Sequence, residues 1–259
     1  MSGKPNSLPS NEEWKAWGRV DPLYGVATKA GRSKEGSDPW TDKGFYELGA
    51  ADWELFRHKW EQYGLSAGTC VEIGCGAGRM TVHLAGYFAQ VHGVDVSAGM
   101  IAYARDRVPA NVVLHVTGGL DLPLPDNSVD AVFSTHVLQH LSSADAGALY
   151  FGQMHRILRP GGSVMVHLPV IAWPGGTLRG VHKLLQRVNV PLDSWRARLL
   201  RFAFRRGFTS APPMQITWYE IGWLYWTLQK LGFEDIELRI LFGGSSMALQ
   251  HPFVFARKQ

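Results

Sequence analysis

Along this chain, apolar positions recur with two alternating periods. Short apolar runs lie near 69–73, 91–95, 111–116, 129–134 and 163–168, and between them apolar residues return every three or four positions over 78–87, 98–107 and 143–158. Compact runs bounded by turn residues read as strands buried on both faces, and the longer spaced stretches read as helices. Strand and helix in alternation specify an α/β fold with a doubly wound parallel sheet. A further helix over 217–231 and strands near 235–241 and 250–256 extend the sheet to seven strands.

The flanks have a different pattern. Residues 1–10 are rich in Ser, Pro and Asn and read as a disordered tail. Ser10 or Asn11 then caps a helix that carries Trp14 and Trp17 and is expected to end at Gly18. That helix either packs on the domain or forms a lid over a binding site. After a Gly/Ser/Lys loop at 27–43, Phe45, Leu48, Trp53, Phe56, Trp60 and Tyr63 return at helical spacing and should be mostly core, with Tyr46 on another face able to reach a pocket. Between 170 and 216 the rhythm breaks. Pro174-Gly175-Gly176 and Ala211-Pro212-Pro213 bracket two amphipathic stretches that predict a pair of helices above the sheet. The stripe Tyr219, Trp223, Trp226 reads as core, leaving Trp218 or Tyr219 as pocket candidates.

One stretch carries chemistry that patterning alone does not explain. Residues 69–80, T-C-V-E-I-G-C-G-A-G-R-M, run from a strand into glycines at 74, 76 and 78 and then into a helix. Glycine there permits positive φ and lets a ligand approach the main chain. A dinucleotide fingerprint requires its third glycine at position 79, which is Arg79. Glu72, two residues before the first glycine, suits a cofactor with an amine or cationic end. The second strand ends in Asp95, placed to accept from both hydroxyls of a ribose.

With L-P-L-P-D-N-S-V-D at 122–130, V-L-Q-H-L at 137–141 and L-R-P-G-G at 158–162 following in order, the chain resembles the class I S-adenosylmethionine-dependent methyltransferases, in their small-molecule, type 11-like branch. The resemblance implies a Rossmann-like fold whose mostly parallel seven-stranded sheet has a reversed last strand. It divides the chain into a tail and helical lid at 1–64 and a methyltransferase domain at 65–259 with a helical cap at 170–216. The implied cofactor is S-adenosyl-L-methionine, with S-adenosyl-L-homocysteine as product. Glu72 would order the glycine loop and the cofactor's amino end, Gly74, Cys75, Gly76 and Gly78 would let the backbone approach it, and Asp95 would hold the ribose. Val96 would lie beside the adenine with Met100 behind it, and Thr135 and His136 are the further cofactor-side candidates. Gly119 and Leu120 stand where relatives carry an acidic residue for the adenine amino group; Asp121 either substitutes or forms a turn.

His140 is the candidate base, since an imidazole with an unperturbed pKa near 6.5 can accept a hydroxyl proton; the competing reading is a brace for the following helix. Trp17, Tyr24, Tyr46, His167 and Arg201 are the acceptor-side candidates. The expected reaction is O-methylation of a small-molecule hydroxyl on a sugar or secondary metabolite, with methylation of RNA, or of carbon or nitrogen in a small molecule, as alternatives.

Composition limits these readings. Of the 259 residues 46% are hydrophobic and 19% charged, as in a folded globular chain. No apolar run reaches the roughly 18 residues of a membrane span, so a cytoplasmic protein is expected. Cys70 and Cys75 are expected as reduced thiols, and His136 with His140 lack a third partner, so no metal is expected. Residues 177–208 hold eight basic side chains against Asp193, a net charge of +7. That stretch could be a solvated face, a cap over an anionic acceptor or a membrane-surface helix, and its position favours the cap over membrane contact. The segment F-S-T-H-V after the fourth strand lacks the motif that grips an exocyclic base nitrogen, so the expected partner is a small-molecule acceptor and no nucleic acid. Nothing in the sequence sets the oligomeric state.

Overall fold

A computed structural model describes residues 11–171, 216–242 and 250–259. The tail 1–10 and most of the expected cap, including its basic run and Arg201, lie outside the described residues.

Helices α1 (Asn11–Val20), α2 (Pro22–Val26) and α3 (Asp42–Tyr63) precede β1 (Thr69–Ile73). There follow α4 (Thr81–Ala85), β2 (Gln90–Asp95), α5 (Ala98–Arg105), β3 (Val112–Val116), β4 (Val129–Ser134), a single 3-10 turn (Leu138–His140), α6 (Ala144–Ile157), β5 (Leu158–His167) and β6 (Val170–Ile171). After the undescribed stretch come β7 (Tyr219–Glu220), α7 (Ile221–Lys230), β8 (Phe233–Phe242) and β9 (Gln250–Lys258).

Seven strands form one sheet in the order β3-β2-β1-β4-β5-β9-β8. β9 runs antiparallel to both β5 and β8 while the other pairs are parallel, giving the mostly parallel sheet with a reversed last strand. In register, Ile73 lies beside Val94 and Glu72 beside Phe133, so β1, β2 and β4 end at one level. Strand order reverses on either side of β1, and a crevice opens there, at the carboxyl ends of the strands.

Alternation along the strands divides the core. Val71, Ile73, Val132, Val164 and Val166 face one side, under Phe151 and Met154 of α6 and Leu224 and Leu228 of α7. Cys70, Ala131, Phe133 and Met165 face the other, under α3. The stripe Phe45, Gly49, Trp53, Phe56, Trp60, Tyr63 is buried at steps of three and four, which is what one face of a helix requires. Thr41 Oγ1 accepts from the Gly44 amide at the start of α3, and Gly64, at φ 102°, ends it. Trp60 donates to Ser163 Oγ at 3.0 Å, so the buried indole N–H is satisfied. Truncating Trp60 or Phe56 to Ala should cost about 3–5 kcal/mol.

Three expectations are corrected by packing. Gly18 does not end its helix: α1 continues to Val20, and a Cβ at Gly18 would lie 2.1 Å from Ser97 Oγ, so the glycine is where α1 meets α5. The first helix after the glycine turn is shorter than 78–87 because Gly78, at φ 86°, is still part of the turn. Finally, the helix expected from 217 starts at Ile221. Residues 219–220 pair with β6 in a second, two-stranded sheet, and Glu220 caps the helix by accepting from the Gly222 and Trp223 amides.

Candidate cofactor and acceptor site

The glycine turn lies under the amino-terminal helices. Gly74 (φ 75°) and Gly76 (φ 52°) occupy the left-handed region. A Cβ on Gly74 would come within 2.1 Å of Val137 Cγ2, and one on Gly76 within 2.6 Å of Val26 Cγ2 in α2. Side chains on both sides thus close on bare backbone, a contact open only to glycine. The turn is tied to β2, since the Gly74 amide donates to Val94 O at 2.7 Å.

Asp95 sits at the end of β2 with both carboxylate oxygens in use. The Gly76 amide donates to Oδ2 at 2.9 Å and the Ser97 amide to Oδ1 at 2.8 Å. Burial pushes its pKa up, while those amides and that of Val96 oppose the rise. Each oxygen retains a lone pair for a ligand hydroxyl. Glu72 is buried away from the crevice and accepts from Thr81 Oγ1 at 2.5 Å. Burial raises its carboxyl to about 8, against the opposing effects of Thr81 and Arg79. It therefore orders the glycine turn through α4 and does not itself line the space above.

That space is a cavity of about 390 Å³, within the usual range for small-molecule sites. Asp95, Val96, Met100, Thr117 and Gly119 line one end. Thr135, His136, Val137, Gln139 and His140 line the other, with Arg79 and Leu48. Asn11 and Trp14 of α1 and Val26 of α2 form the roof. Asn11 Nδ2 donates to Gly118 O at 2.9 Å, and the Trp14 ring lies 5.0 Å from that of His140, so α1 spans both ends. The tryptophan helix thus both packs against α5 and lines the crevice through Asn11 and Trp14. Trp17 has a different neighbour: its ring packs 5.6 Å from Tyr24, and neither residue lines the cavity.

Other expected residues are also displaced from the wall. Tyr46 donates to Ala77 O at 2.9 Å, bracing the glycine turn from outside, and burial raises its phenol to about 12. Cys75, Gly78 and Leu120 adjoin the cavity wall without lining it, and Cys70 and Cys75 are buried free thiols. Asp121 is exposed, with its carbonyl accepting from Thr117 Oγ1 at 2.6 Å, as a turn former would be. Trp218 is exposed, while Tyr219 is buried and donates to Leu138 O at 2.8 Å, holding the turn that carries His140. His167 is buried behind His136, with ring centroids 4.3 Å apart.

Arg79 was not foreseen in the site. Gly49 lets α3 press against the Arg79 carbonyl, where a Cβ would come within 2.3 Å, and Asp52 one turn on receives the guanidinium at 2.5 Å. The signal was present as a glycine and an acid inside an aromatic helical stripe. Among the described residues, no group of three or more His, Cys, Asp or Glu is disposed to hold a metal ion, and no helix is long and apolar enough to cross a membrane.

Comparison with known proteins agrees with this geometry. A family model described as a methyltransferase domain matches residues 71–166. The chain is similar to a demethylmenaquinone methyltransferase of Tropheryma whipplei, 29% identical over 195 residues that make up 73% of this chain and 77% of that protein. Among solved structures it resembles the 4+2 cyclase SpnF, with a TM-score of 0.59 at 17% identity over 100% of this chain and 99% of that one. It also resembles a phosphoethanolamine N-methyltransferase of Haemonchus contortus, solved with S-adenosylhomocysteine, with a TM-score of 0.52 at 21% identity over 80% of this chain and 53% of that one. The two structures establish the fold alone; the family match, the glycine cradle and an acid with two lone pairs free for hydroxyls fit S-adenosylmethionine as the cofactor. Together, the methyltransferase-domain match and these relatives support a class I S-adenosylmethionine-dependent methyltransferase of the type 11 branch.

Proposed function

We propose that the enzyme methylates a hydroxyl of a small, largely apolar acceptor, with His140 taking the hydroxyl proton. The observation that carries this reading is a histidine on the cavity wall directly beneath the aromatic roof. His140 ends the 3-10 turn after β4, its ring lies against Trp14, and its Nε2 is 2.8 Å from Gln139 Nε2. The amide end that Gln139 presents sets the tautomer and so the nitrogen that receives a proton. Asp95, with the Gly76 and Gly119 segments, would hold the cofactor. When bound, S-adenosylmethionine supplies a methyl group already activated by its sulfonium. The protein is left to orient the acceptor, exclude water and accept a proton. Orientation can contribute about 7–11 kcal/mol, and a base about 10²- to 10⁴-fold.

Trp14, Trp40, Val26 and Leu48 around the cavity favour a flat or aliphatic acceptor over a polynucleotide. A second reading, methylation of a ring carbon, is favoured by the relative whose named acceptor is demethylmenaquinone. The same histidine would serve, because removing a ring hydroxyl proton enriches both the oxygen and the neighbouring carbon. The test is incubation with methyl-labelled cofactor and separate sugar, phenol and quinol acceptors, with product NMR. An O-methyl signal supports the first reading and a ring-methyl signal the second. Methylation of RNA alone would overturn both.

A further inference from the structure

The proposed base leaves a second histidine group unused. His136, on the cavity wall after β4, has its ring centroid 4.3 Å from that of His167 at the end of β5 and 5.7 Å from that of His251 near the start of β9; the latter two are 5.6 Å apart. Three sequence-distant imidazoles thus converge from three neighbouring strands, and His167 and His251 are almost fully buried. Packing alone does not call for them, since aliphatic side chains would fill the volume without polar cost. Here His167 Nδ1 and the Thr135 hydroxyl, which also lines the cavity, are buried without a hydrogen-bond partner among the described residues. His136 also has φ 58°, a left-handed conformation held by its surroundings.

The electrostatics of the group are one-sided. Arg79, Asp52, His140 and His251 all act on His136. Burial, and after it the Arg79 charge, lower its pKa to about 3, and burial lowers that of His167 as well. Both rings are therefore neutral, and the Asp52 carboxylate is engaged by Arg79. A neutral imidazole in such a place offers an N–H donor with no charge to desolvate, which a ligand oxygen can complete. The group's position in the sheet assigns the ligand. Asp95 and the loop after β3 occupy the β2–β3 side of β1, whereas the histidines stand over β4, β5 and β9, on the opposite side of the glycine turn.

We infer, on the methyl-transfer reading above, that His136 binds an electron-rich oxygen of the acceptor, a carbonyl or phenolate, and that His167 and His251 are positioning residues for its ring. The test uses protein saturated with S-adenosylhomocysteine and two probes differing by one oxygen, 2-naphthol and naphthalene, titrated by calorimetry. Native protein should bind 2-naphthol at least tenfold more tightly than naphthalene. His136→Gly tolerates the backbone angle and removes the ring; it should reduce that preference to under twofold while naphthalene and S-adenosylhomocysteine affinities stay within twofold. His167→Phe should reduce the preference about three- to fivefold. Equal or absent binding of the two probes to native protein, or a preference that survives in His136→Gly, would overturn the inference. It would also fail if His136→Gly weakened S-adenosylhomocysteine but not 5′-methylthioadenosine, for then the oxygen read by His136 is the cofactor's own carboxylate. Failure of native protein to bind S-adenosylhomocysteine at all would instead refute the cofactor reading.

Discussion

The two ends of the cavity are built on opposite plans. At the Asp95 end the polar groups are held locally: the Gly76 and Ser97 amides each donate to one carboxylate oxygen, and the glycine turn is fastened to Val94. At the histidine end, polar groups converge from β4, β5 and β9, and buried atoms stand without partners among the described residues. The first end is preorganised for one ligand, and the second leaves donors and acceptors for a ligand to complete. The contrast suits an enzyme with a fixed cofactor and a separately specified acceptor, because binding energy left unspent in the free site can be realised with the reacting molecule.

Breaking the acceptor end should leave the cofactor end intact. His140→Ala should lower turnover on a hydroxyl acceptor by about 10²- to 10⁴-fold while S-adenosylhomocysteine affinity changes less than twofold. Unchanged turnover would return His140 to a bracing role.

The next effect concerns the scaffold beneath the cofactor end. The Glu72 carboxyl is raised to about 8 by burial. A carboxyl whose pKa is raised on folding binds its proton more tightly in the folded state. The stability it contributes is full below the unfolded value near 4.3 and is lost as pH rises through about 8. The cofactor-free protein should therefore lose stability between pH 4.5 and 8, by at most about 5 kcal/mol from this group. Glu72→Gln should flatten that slope in denaturant titrations; an unaltered slope would mean Glu72 is ionised throughout.

The smallest effect tests the roof. Asn11→Ala removes one hydrogen bond, from Asn11 Nδ2 to Gly118 O. At about 1 kcal/mol the loss should weaken cofactor binding roughly fivefold, with little change in chemical turnover at saturation. A larger fall in turnover than in affinity would make α1 part of acceptor positioning.

The same contrast explains what could be read from the sequence. The β1–turn–α4 unit and Asp95 were legible because their partners lie within a few residues or one strand away, and strand spacing fixes how they meet. Trp14 and Trp17 were legible as one helix but not as different environments. Three residues advance a helix by about 300°, which turns Trp14 toward His140 and Trp17 toward Tyr24. His251 and the Arg79–Asp52 pair were missed because they reach the site only through tertiary contacts, from the last strand and from α3. Gly18 was misread because close helix packing and helix termination select the same residue.

The division between the two ends is tested most directly by calorimetric titration of S-adenosylhomocysteine into native protein, Asp95→Ala and His140→Ala. The account predicts one saturable site in native protein, an affinity within twofold of native in His140→Ala, and at least about hundredfold weaker binding in Asp95→Ala, which loses two ribose hydrogen bonds to a charged group and frees the Gly76 amide. Native-like binding by Asp95→Ala, or equal losses in both variants, would contradict it.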